Sequence, residues 1–534
     1  MEKIIALTKT HKKLILIFIG IIFLGTFLRT YNFHDGVRFN ADQARDATLV
    51  SEVISGETAW PLLGPKAGGT DFRLGPIFYE FQIISGKIFG NYPDKLVYPD
   101  LFFSLLSIPL LFFFLKKYFS EKLALALTAL YAISFYTIKY AHFAWNPNST
   151  PFWTMLFLYA LLQLVEFQGK RRFFWSVVAG VATGVGVQLH TFLLVVLPLV
   201  TIAYFVYLGF KAPHQNNLWK SFMLVFAVSI FLNVPQLYNE TKTEGDNIKA
   251  LFSGVETKQE DKNLLMKIDR TGECFITAGA FTISSLGESD KCDFLPIKTA
   301  GNAVDIILGG LLFLGGLGLG IWRLIKETSE DRKRFLGLIL SYTGLMIIFM
   351  TPVAYELSLR YFLIIAFLPF IFLGLWLEFL IQKFKNKGVA IALIIVMILI
   401  ALNLWAVKNN FVALNNYTRN SSMNGFDNVY LGELEMMANY IIAQNDSFST
   451  TLLDGNSQYL FKASKGLIYL TEKKGVHLQT LNKQNSVAGN IVFILVSTES
   501  KDKKIKTLEK DSDILDFKSF GRFSLIKSQL RAYP

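Results

Sequence analysis

Cysteine is scarce in this chain: two residues in 534, Cys274 and Cys292. The sequence holds no zinc-ligand cluster, no Walker-type phosphate loop and no nucleophile elbow, so soluble metalloenzymes, nucleotide hydrolases and α/β-hydrolases are poor descriptions. No soluble segment on the basic-loop side is large enough to hold a nucleotide sugar. Acidic residues are also in deficit, with 41 Asp and Glu against 53 Lys and Arg. In a soluble protein that balance suggests nucleic acid. Here the cations gather in short loops between apolar runs, where they set membrane orientation, and no nucleic-acid partner is expected. The basic start, MEKIIALTKTHKK, precedes an apolar run from Leu14 to Leu28 without a small-residue cleavage site, so an uncleaved first helix is expected.

Apolar residues are abundant at 52%, with 49 phenylalanines. A bilayer crossing needs about 20 apolar residues, and backbone groups in lipid must be satisfied within a helix. Such blocks recur at about 14–30, 99–115, 121–140, 150–167, 173–189, 191–210, 219–237, 302–322, 335–351, 361–381 and 388–407. Basic loops alternate: Lys116, Lys117 and Lys122; Lys170, Arg171 and Arg172; Lys211 and Lys220; Arg323 to Arg334; Lys383 to Lys387. That parity places the basic loops inside. The short block PIFYEFQIISGKIF, from Pro76 to Phe89, would break the alternation if it crossed. It reads as a re-entrant or interfacial helix.

The expected fold class is a polytopic α-helical membrane protein of about eleven transmembrane helices plus this juxtamembrane helix. A transmembrane domain spans 1–408, with outer loops 31–98 and 238–301, and a small extracytoplasmic α/β domain spans 409–534. In that tail, strand-like runs lie at Ser449 to Leu453, Gly466 to Thr471, Asn490 to Val496 and Ile514 to Ile526. Glu433 to Ala443 has helical periodicity. Both cysteines fall in the 238–301 loop, and a disulfide between Cys274 and Cys292 suits an oxidising compartment. The glycine run Gly309 to Gly320 lies inside an apolar helix, where glycines let helices approach closely; Gly180 and Gly184 read the same way.

Polar residues with chemical potential concentrate in the outer segments. Asp42 and Asp46, four apart, share a face of a helix with Arg45 beside them. A carboxylate near the membrane surface can act as general base, and a neighbouring cation can hold phosphate. Lys66 and Arg73 flank a Gly- and Pro-rich stretch that leads through Gly75 and Pro76 to Tyr79. The turn Tyr140 to Asn148 brings His142, Trp145, Asn146 and Asn148, whose amides and indole suit sugar hydroxyls and rings. His190 ends a crossing, and Arg360 with Tyr361 begins one; an Arg at that depth needs a partner or an anion.

Taken together, Asp42-Gln-Ala-Arg-Asp46-Ala, Gly75-Pro-Ile-Phe-Tyr79, Phe143-Ala-Trp-Asn-Pro-Asn148, Gln188-Leu-His190 and Arg360-Tyr-Phe-Leu resemble a bacterial GT-C class membrane glycosyltransferase. The resemblance covers about residues 10–410 and extends to protein O-mannosyltransferases and lipid A aminoarabinose transferases. It implies a polyprenyl-phosphate-linked sugar donor and an envelope glycan, lipid or protein as acceptor. It also implies an active site on the extracytoplasmic face of the cell membrane. Asp42 matches the family's first-loop acid and would be the base, with Asp46 beside it; inversion would follow. Arg45, Lys66, Arg73 and Arg360 are the candidates to hold phosphate. The chain departs from mannosyltransferase relatives in carrying Ala141-His142 where they carry a Ser-Arg pair followed by Asp, so no obligatory metal is expected. A flippase for lipid-linked glycans and a non-catalytic envelope scaffold are the rival classes. A transporter would put ionisable groups near the bilayer midplane, whereas this chain collects them in its outer loops.

Overall fold

The computed structural model describes residues 2–211, 218–258, 262–286, 292, 300–415, 428–444, 451–454, 460–482, 484 and 486–531. The chain begins with α1 (Glu2–Thr30) and continues through three short helices, α2 (Phe33–Gly36), α3 (Ala41–Ser55) and α4 (Ile77–Phe89). There follow α5 (Tyr98–Leu115), α6 (Glu121–Ile133), α7 (Phe135–Lys139), α8 (Thr150–Glu166), α9 (Gly169–Leu189) and α10 (Thr191–Lys211). Next, α11 (Leu218–Leu232) bends by 61° into α12 (Val234–Lys242). The remaining helices of the bundle are α13 (Asp246–Lys258), α14 (Leu264–Ser284), α15 (Ala300–Gly310), α16 (Gly316–Lys326), α17 (Glu330–Met350) and α18 (Leu368–Asn415).

Among the described residues, seven helices are long and apolar enough to cross a membrane, or eight with the bent pair. The window in α1 has mean hydropathy 2.0 and is only 17% buried. An apolar helix bare on most sides is stable only against lipid, so the protein is a multi-pass membrane protein.

The structure refines the expected crossings in three places. The block 121–140 breaks at Ser134, between α6 and α7. The backbone groups freed there find side-chain partners: Asn403 Oδ1 accepts from Phe135 N at 3.2 Å, and the Thr137 hydroxyl lies 3.0 Å from both the Tyr131 and Ser134 carbonyls; the Ser134 hydroxyl itself donates to the Thr282 carbonyl of α14 at 2.7 Å. The tenth block starts as 3-10 turns at Leu359–Ile365 and becomes α-helical at Leu368. The tenth and eleventh blocks form the two arms of α18, broken at Lys385 with φ of 51°. A Cβ on Gly388 would overlap the Leu380 carbonyl; in a continuous helix residues eight apart are about 12 Å apart, so the chain doubles back.

The interior also holds a helix that hydropathy conceals. α14 carries Lys267, Asp269, Arg270 and Glu273 in its first half and buries Phe275, Ala278 and Phe281 in its second. It packs on α15 and α18. The glycines of the 309–320 run act as expected: Gly309 lies on the Ile276 backbone, and a Cβ on Gly316 would stand 2.5 Å from Phe372. Gly180 approaches Val228 of α11 in the same way. The expected disulfide is absent. Cys274 and Cys292 are both buried in the main apolar core with no disulfide between them.

The basic loops meet at one end of the bundle. Lys117 pairs with Glu166, Arg332 donates to Glu378 at 2.9 Å, and the Arg332 guanidinium lies 4.1 Å from the Tyr118 ring. The opposite, loop-bearing end gathers α2 to α4, the 141–149 turn, α13 and the start of the 359–365 segment. Beneath it Arg29, fully buried, donates to Ser104, Ala132, Thr137 and Gly25 and ties α1 to α5, α6 and α7.

A small sheet domain sits on that end. It comprises α19 (Leu431–Ala443), β1 (Thr451–Asp454), α20 (Phe461–Lys473), β2 (Leu478–Thr480), β3 (Ile491–Ser497), α21 (Lys501–Leu508), β4 (Ser512–Phe520) and β5 (Phe523–Leu530). The sheet order is β2-β1-β3-β5-β4, parallel across β2-β1-β3 and antiparallel across β3-β5-β4. The run expected as a strand at Gly466 to Thr471 is helical instead. Ala463, Leu467 and Leu470 are buried at helical spacing, which so short an apolar run does not reveal on its own. The strand expected from Ser449 is described from Thr451 onward. The domain joins the bundle by backbone pairing: Phe39 N donates to the Val429 carbonyl and Leu431 N to the Val37 carbonyl, both at 2.8 Å.

Candidate functional site

α3 begins where that pairing ends. Asn40 is its N-cap; the Asn40 backbone N–H donates to Gln43 Oε1 at 3.1 Å, a capping-box contact that satisfies a helix-start donor. Gln43 Nε2 then donates to the Ala144 carbonyl at 3.1 Å and ties the helix start to the 141–149 turn. Asn40 Oδ1 accepts from Val429 N at 3.0 Å, so the sheet domain also holds this start. Ala44, Ala47, Val50 and Val53 form the buried stripe, and Gly56, with φ of 85°, ends the helix in the left-handed region that favours glycine.

The two aspartates of α3 sit at the border of this stripe in different surroundings. Asp42 has a side chain 71% exposed, whereas that of Asp46 is 5% exposed. Arg45 joins them, donating to Asp42 Oδ1 at 3.0 Å and to Asp46 Oδ1 at 2.8 Å. Tyr79, from α4, donates its hydroxyl to Asp46 Oδ1 at 3.0 Å. Burial pushes the Asp46 carboxyl up to about 6, against the lowering pull of Arg45 and Tyr79. Burial and Asp46 together raise the Tyr79 phenol, while Arg45 and Arg73 oppose them.

The other predicted cations divide into two kinds. Lys66 pairs with Asp71 at 2.7 Å and forms a backbone bridge with Arg73. The Arg73 backbone is gripped from both sides by the Asn247 amide, at 2.7 and 3.0 Å. Its side chain is exposed and has no acidic partner among the described residues. Arg360 is likewise exposed; it donates to Ser358 Oγ at 3.2 Å and lies 5.6 Å from the Trp145 ring centroid. Two arginines are therefore charged and open, the state an anion site requires.

The 64–76 loop links the two halves of this surface. Gly75 abuts the Gln188 amide, which accepts from Ile77 N at 3.2 Å. Gly68, at φ of 44°, lies against the Tyr361 hydroxyl, and Lys258 donates to the Gly68 carbonyl. His190 meets Tyr361 edge-on, with centroids 5.9 Å apart, and Asn146 donates to the Leu189 carbonyl at 2.8 Å. Asp42, Arg45, Asp46 and Tyr79 thus form one group, and Asn146, His190, Arg360 and Tyr361 another, with Arg73 on the loop between.

His142 and Asn148 take different places. His142 is buried, with Phe33 against its ring at 5.3 Å, and burial pushes its imidazole down to about 4. Asn148 is buried and donates to the Phe143 carbonyl at 2.6 Å, closing its own turn. One acid escaped the sequence reading. Asp100, buried in the first turn of α5, accepts from Trp145 N at 3.2 Å and so brings a carboxylate to the turn that lacks one of its own. A lone acid opening an apolar helix was the available signal.

Comparison with known proteins converges on one fold. Residues 75–238 match the family model of dolichyl-phosphate-mannose-protein mannosyltransferase. No curated protein matches the chain in sequence. ArnT from Cupriavidus metallidurans, solved bound to undecaprenyl phosphate, superposes with a TM-score of 0.54 at 12% identity, over 96% of this chain and 97% of that one. Its apo state gives 0.53 at 12% identity, over 97% and 98%. The archaeal oligosaccharyltransferase AglB from Archaeoglobus fulgidus, in complex with an inhibitory peptide and a dolichol-phosphate, gives 0.52 at 13% identity, over 97% of this chain and 74% of that one. The chain has the GT-C glycosyltransferase fold of these proteins.

Proposed function

We propose that the protein is a membrane glycosyltransferase that moves a sugar from a polyprenyl-phosphate donor to an extracytoplasmic acceptor, with Asp42 as base and inversion at the anomeric carbon. The observation that carries the reading is the Asp42–Arg45–Asp46–Tyr79 network, open on its Asp42 side, with Arg73 exposed on the adjoining 64–76 loop and Arg360 exposed beyond it. The fold it shares with a protein solved bound to undecaprenyl phosphate supports the choice of donor. The loop-bearing end is taken as the outer face of the cell membrane because the basic loops cluster at the other end.

The chemistry follows from placement. Asp42, exposed and anchored through Arg45, takes the proton of an acceptor hydroxyl or amine as that atom bonds to the anomeric carbon. The bond from that carbon to the phosphate oxygen breaks, and the electron pair leaves on polyprenyl phosphate. Arg73 and Arg360 meet the charge that develops on the phosphate. One displacement inverts the centre. Asp46 does not touch the acceptor; it fixes Arg45, and Tyr79 fixes Asp46. Asn146, Trp145 and Tyr361 offer an amide, an indole face and a phenol to the sugar. The acceptor is an envelope glycan, lipid or protein.

The test uses the purified full chain with a panel of polyprenyl-phosphate sugars, following release of polyprenyl phosphate with and without envelope extract. Acceptor-dependent release that vanishes in Asp42→Asn supports the reading, and the active donor names the sugar. Unchanged release in Asp42→Asn removes the base assignment; no release from any donor shifts weight to a flippase.

A further inference from the structure

A second group of ligand-type side chains stands apart from the α3 network, at the joint between the bundle and the sheet domain. His34 and Asp35 on α2 and Glu435 on α19 offer one ligand atom each, all within 4.8 Å of one another. His34 Nδ1 lies 3.1 Å from Asp94 Oδ2, and its Nε2 lies 3.1 Å from Glu435 Oε2. Asp94 is buried and pairs with Lys95 at 2.9 Å; its second oxygen has no hydrogen-bond partner among the described residues. The Tyr92 hydroxyl donates to Glu435 Oε1, and the Tyr92 ring stacks near His34 with centroids 6.0 Å apart.

We propose that His34, Asp35 and Glu435 form a binding site for a first-row divalent transition metal ion, with zinc the best match. Three features point that way. The donor set is one imidazole and two carboxylates, which suits zinc and its neighbours; magnesium and calcium prefer oxygen alone. The imidazole is oriented as metal-binding histidines are: Asp94 accepts from Nδ1 and leaves Nε2 directed at Glu435. Tyr92 holds the far oxygen of Glu435 and leaves the near one for the ion. Ligand atoms on a tetrahedral zinc stand roughly 3.3 Å apart, given bonds of about 2.0 Å. The His34–Glu435 edge is already at 3.1 Å, and the Asp35 carboxylate lies within 4.8 Å of both, with water to fill the fourth position. The site takes no part in the proposed transfer and does not depend on it. It would pin α19 to the segment whose next residues, Val37 and Phe39, pair with the sheet domain and lead into α3.

The experiment strips the full-length protein in detergent with a chelator, titrates it with Zn²⁺ and with Co²⁺ as an absorbing probe, and measures bound metal after dialysis. The expected result is one ion per chain, lost in His34→Ala and in Glu435→Gln, with affinity about 10–100-fold weaker in Asp94→Asn, the cost typical of removing a carboxylate behind a metal-bound histidine. His477→Ala, on the sheet domain away from the cluster, keeps full binding. Asp35→Asn, at a partly exposed position, reports on ligation if the other variants fold poorly. No retained ion in folded wild type overturns the proposal, as does retention equal in wild type, Glu435→Gln and Asp35→Asn. In either case the cluster is an ion-pair clasp only.

Discussion

The 39–46 stretch and the 140–148 turn look alike on paper, each setting polar and aromatic residues between helices. Their structures use those residues in opposite ways. In the first, side chains bond to one another: Arg45 spans Asp42 and Asp46, and Tyr79 arrives from α4. The backbone there is satisfied by the helix, so the charges remain available to a substrate. In the second, the chain turns sharply, and its backbone groups draw in side chains from the turn itself and from its neighbours. Asn148 serves the Phe143 carbonyl, Asp100 serves Trp145 N, and Gln43 serves the Ala144 carbonyl. A helix satisfies its own backbone and leaves its charged side chains for chemistry, whereas a tight turn draws side chains onto backbone groups that have no ladder.

This contrast is sharpest in mutation. Asp42→Asn should lower turnover by about 10²–10⁴-fold, the usual worth of a general base, with Tm unchanged. Asn148→Ala should leave turnover per folded molecule intact and lower stability by about 1–3 kcal/mol, the cost of orphaning a buried backbone acceptor. Turnover assays paired with thermal melts separate the two; a loss of turnover without loss of stability in Asn148→Ala would break the comparison.

His142 should appear in the pH dependence of stability rather than of activity. Its imidazole is pushed down to about 4 by burial and stays neutral in the fold, while an unfolded histidine takes up a proton below about 6.5. Its contribution is complete above pH 6.5 and is lost as the pH falls toward 4. The loss amounts to about 3 kcal/mol. Denaturation of His142→Gln between pH 7 and 4 should show a correspondingly flatter decline.

Asp46 works in the opposite sense. Burial raises its carboxyl to about 6, so the fold is destabilised by the ionised form and gains stability as the pH falls from 6 toward 4. Protonation, however, releases Arg45 from Asp46 and concentrates its charge on Asp42, which weakens the base. Turnover should therefore fall on the acid side with a midpoint near pH 6, and Asp46→Asn should abolish that limb while lowering the plateau. Tyr79→Phe removes a hydrogen bond that holds Asp46 ionised. It should move the same limb to higher pH and cost about 1 kcal/mol in stability, the smallest of these effects.

Much of the bundle was legible because lipid imposes a single rule on long apolar runs. α14 escaped that rule because its first half is charged and its apolar half lies against other helices. The break at Ser134 escaped because the amide of Asn403, far along the chain, takes up the Phe135 N–H that the break frees. In the site, the pairing of Asp42 with Arg45 followed from helical spacing, but their spacing to Asp46 gave no hint that one acid is open and the other buried. Lys66 and Arg73 were equal candidates until Asp71 claimed Lys66. The partners of Asp100 and of the α2–α19 cluster were hidden, since they come from distant segments.

The amino-acid order alone determined that this chain spans a membrane and where its short basic loops lie along the chain. Those outcomes depend on hydrophobicity and charge summed over neighbours in the chain, and such sums need no fold. Which cation stays free, which acid is buried and which histidine is merely packed depend on residues brought together from far apart. Hydrogen bonds and desolvation act over a few ångströms, so only the tertiary structure could decide them.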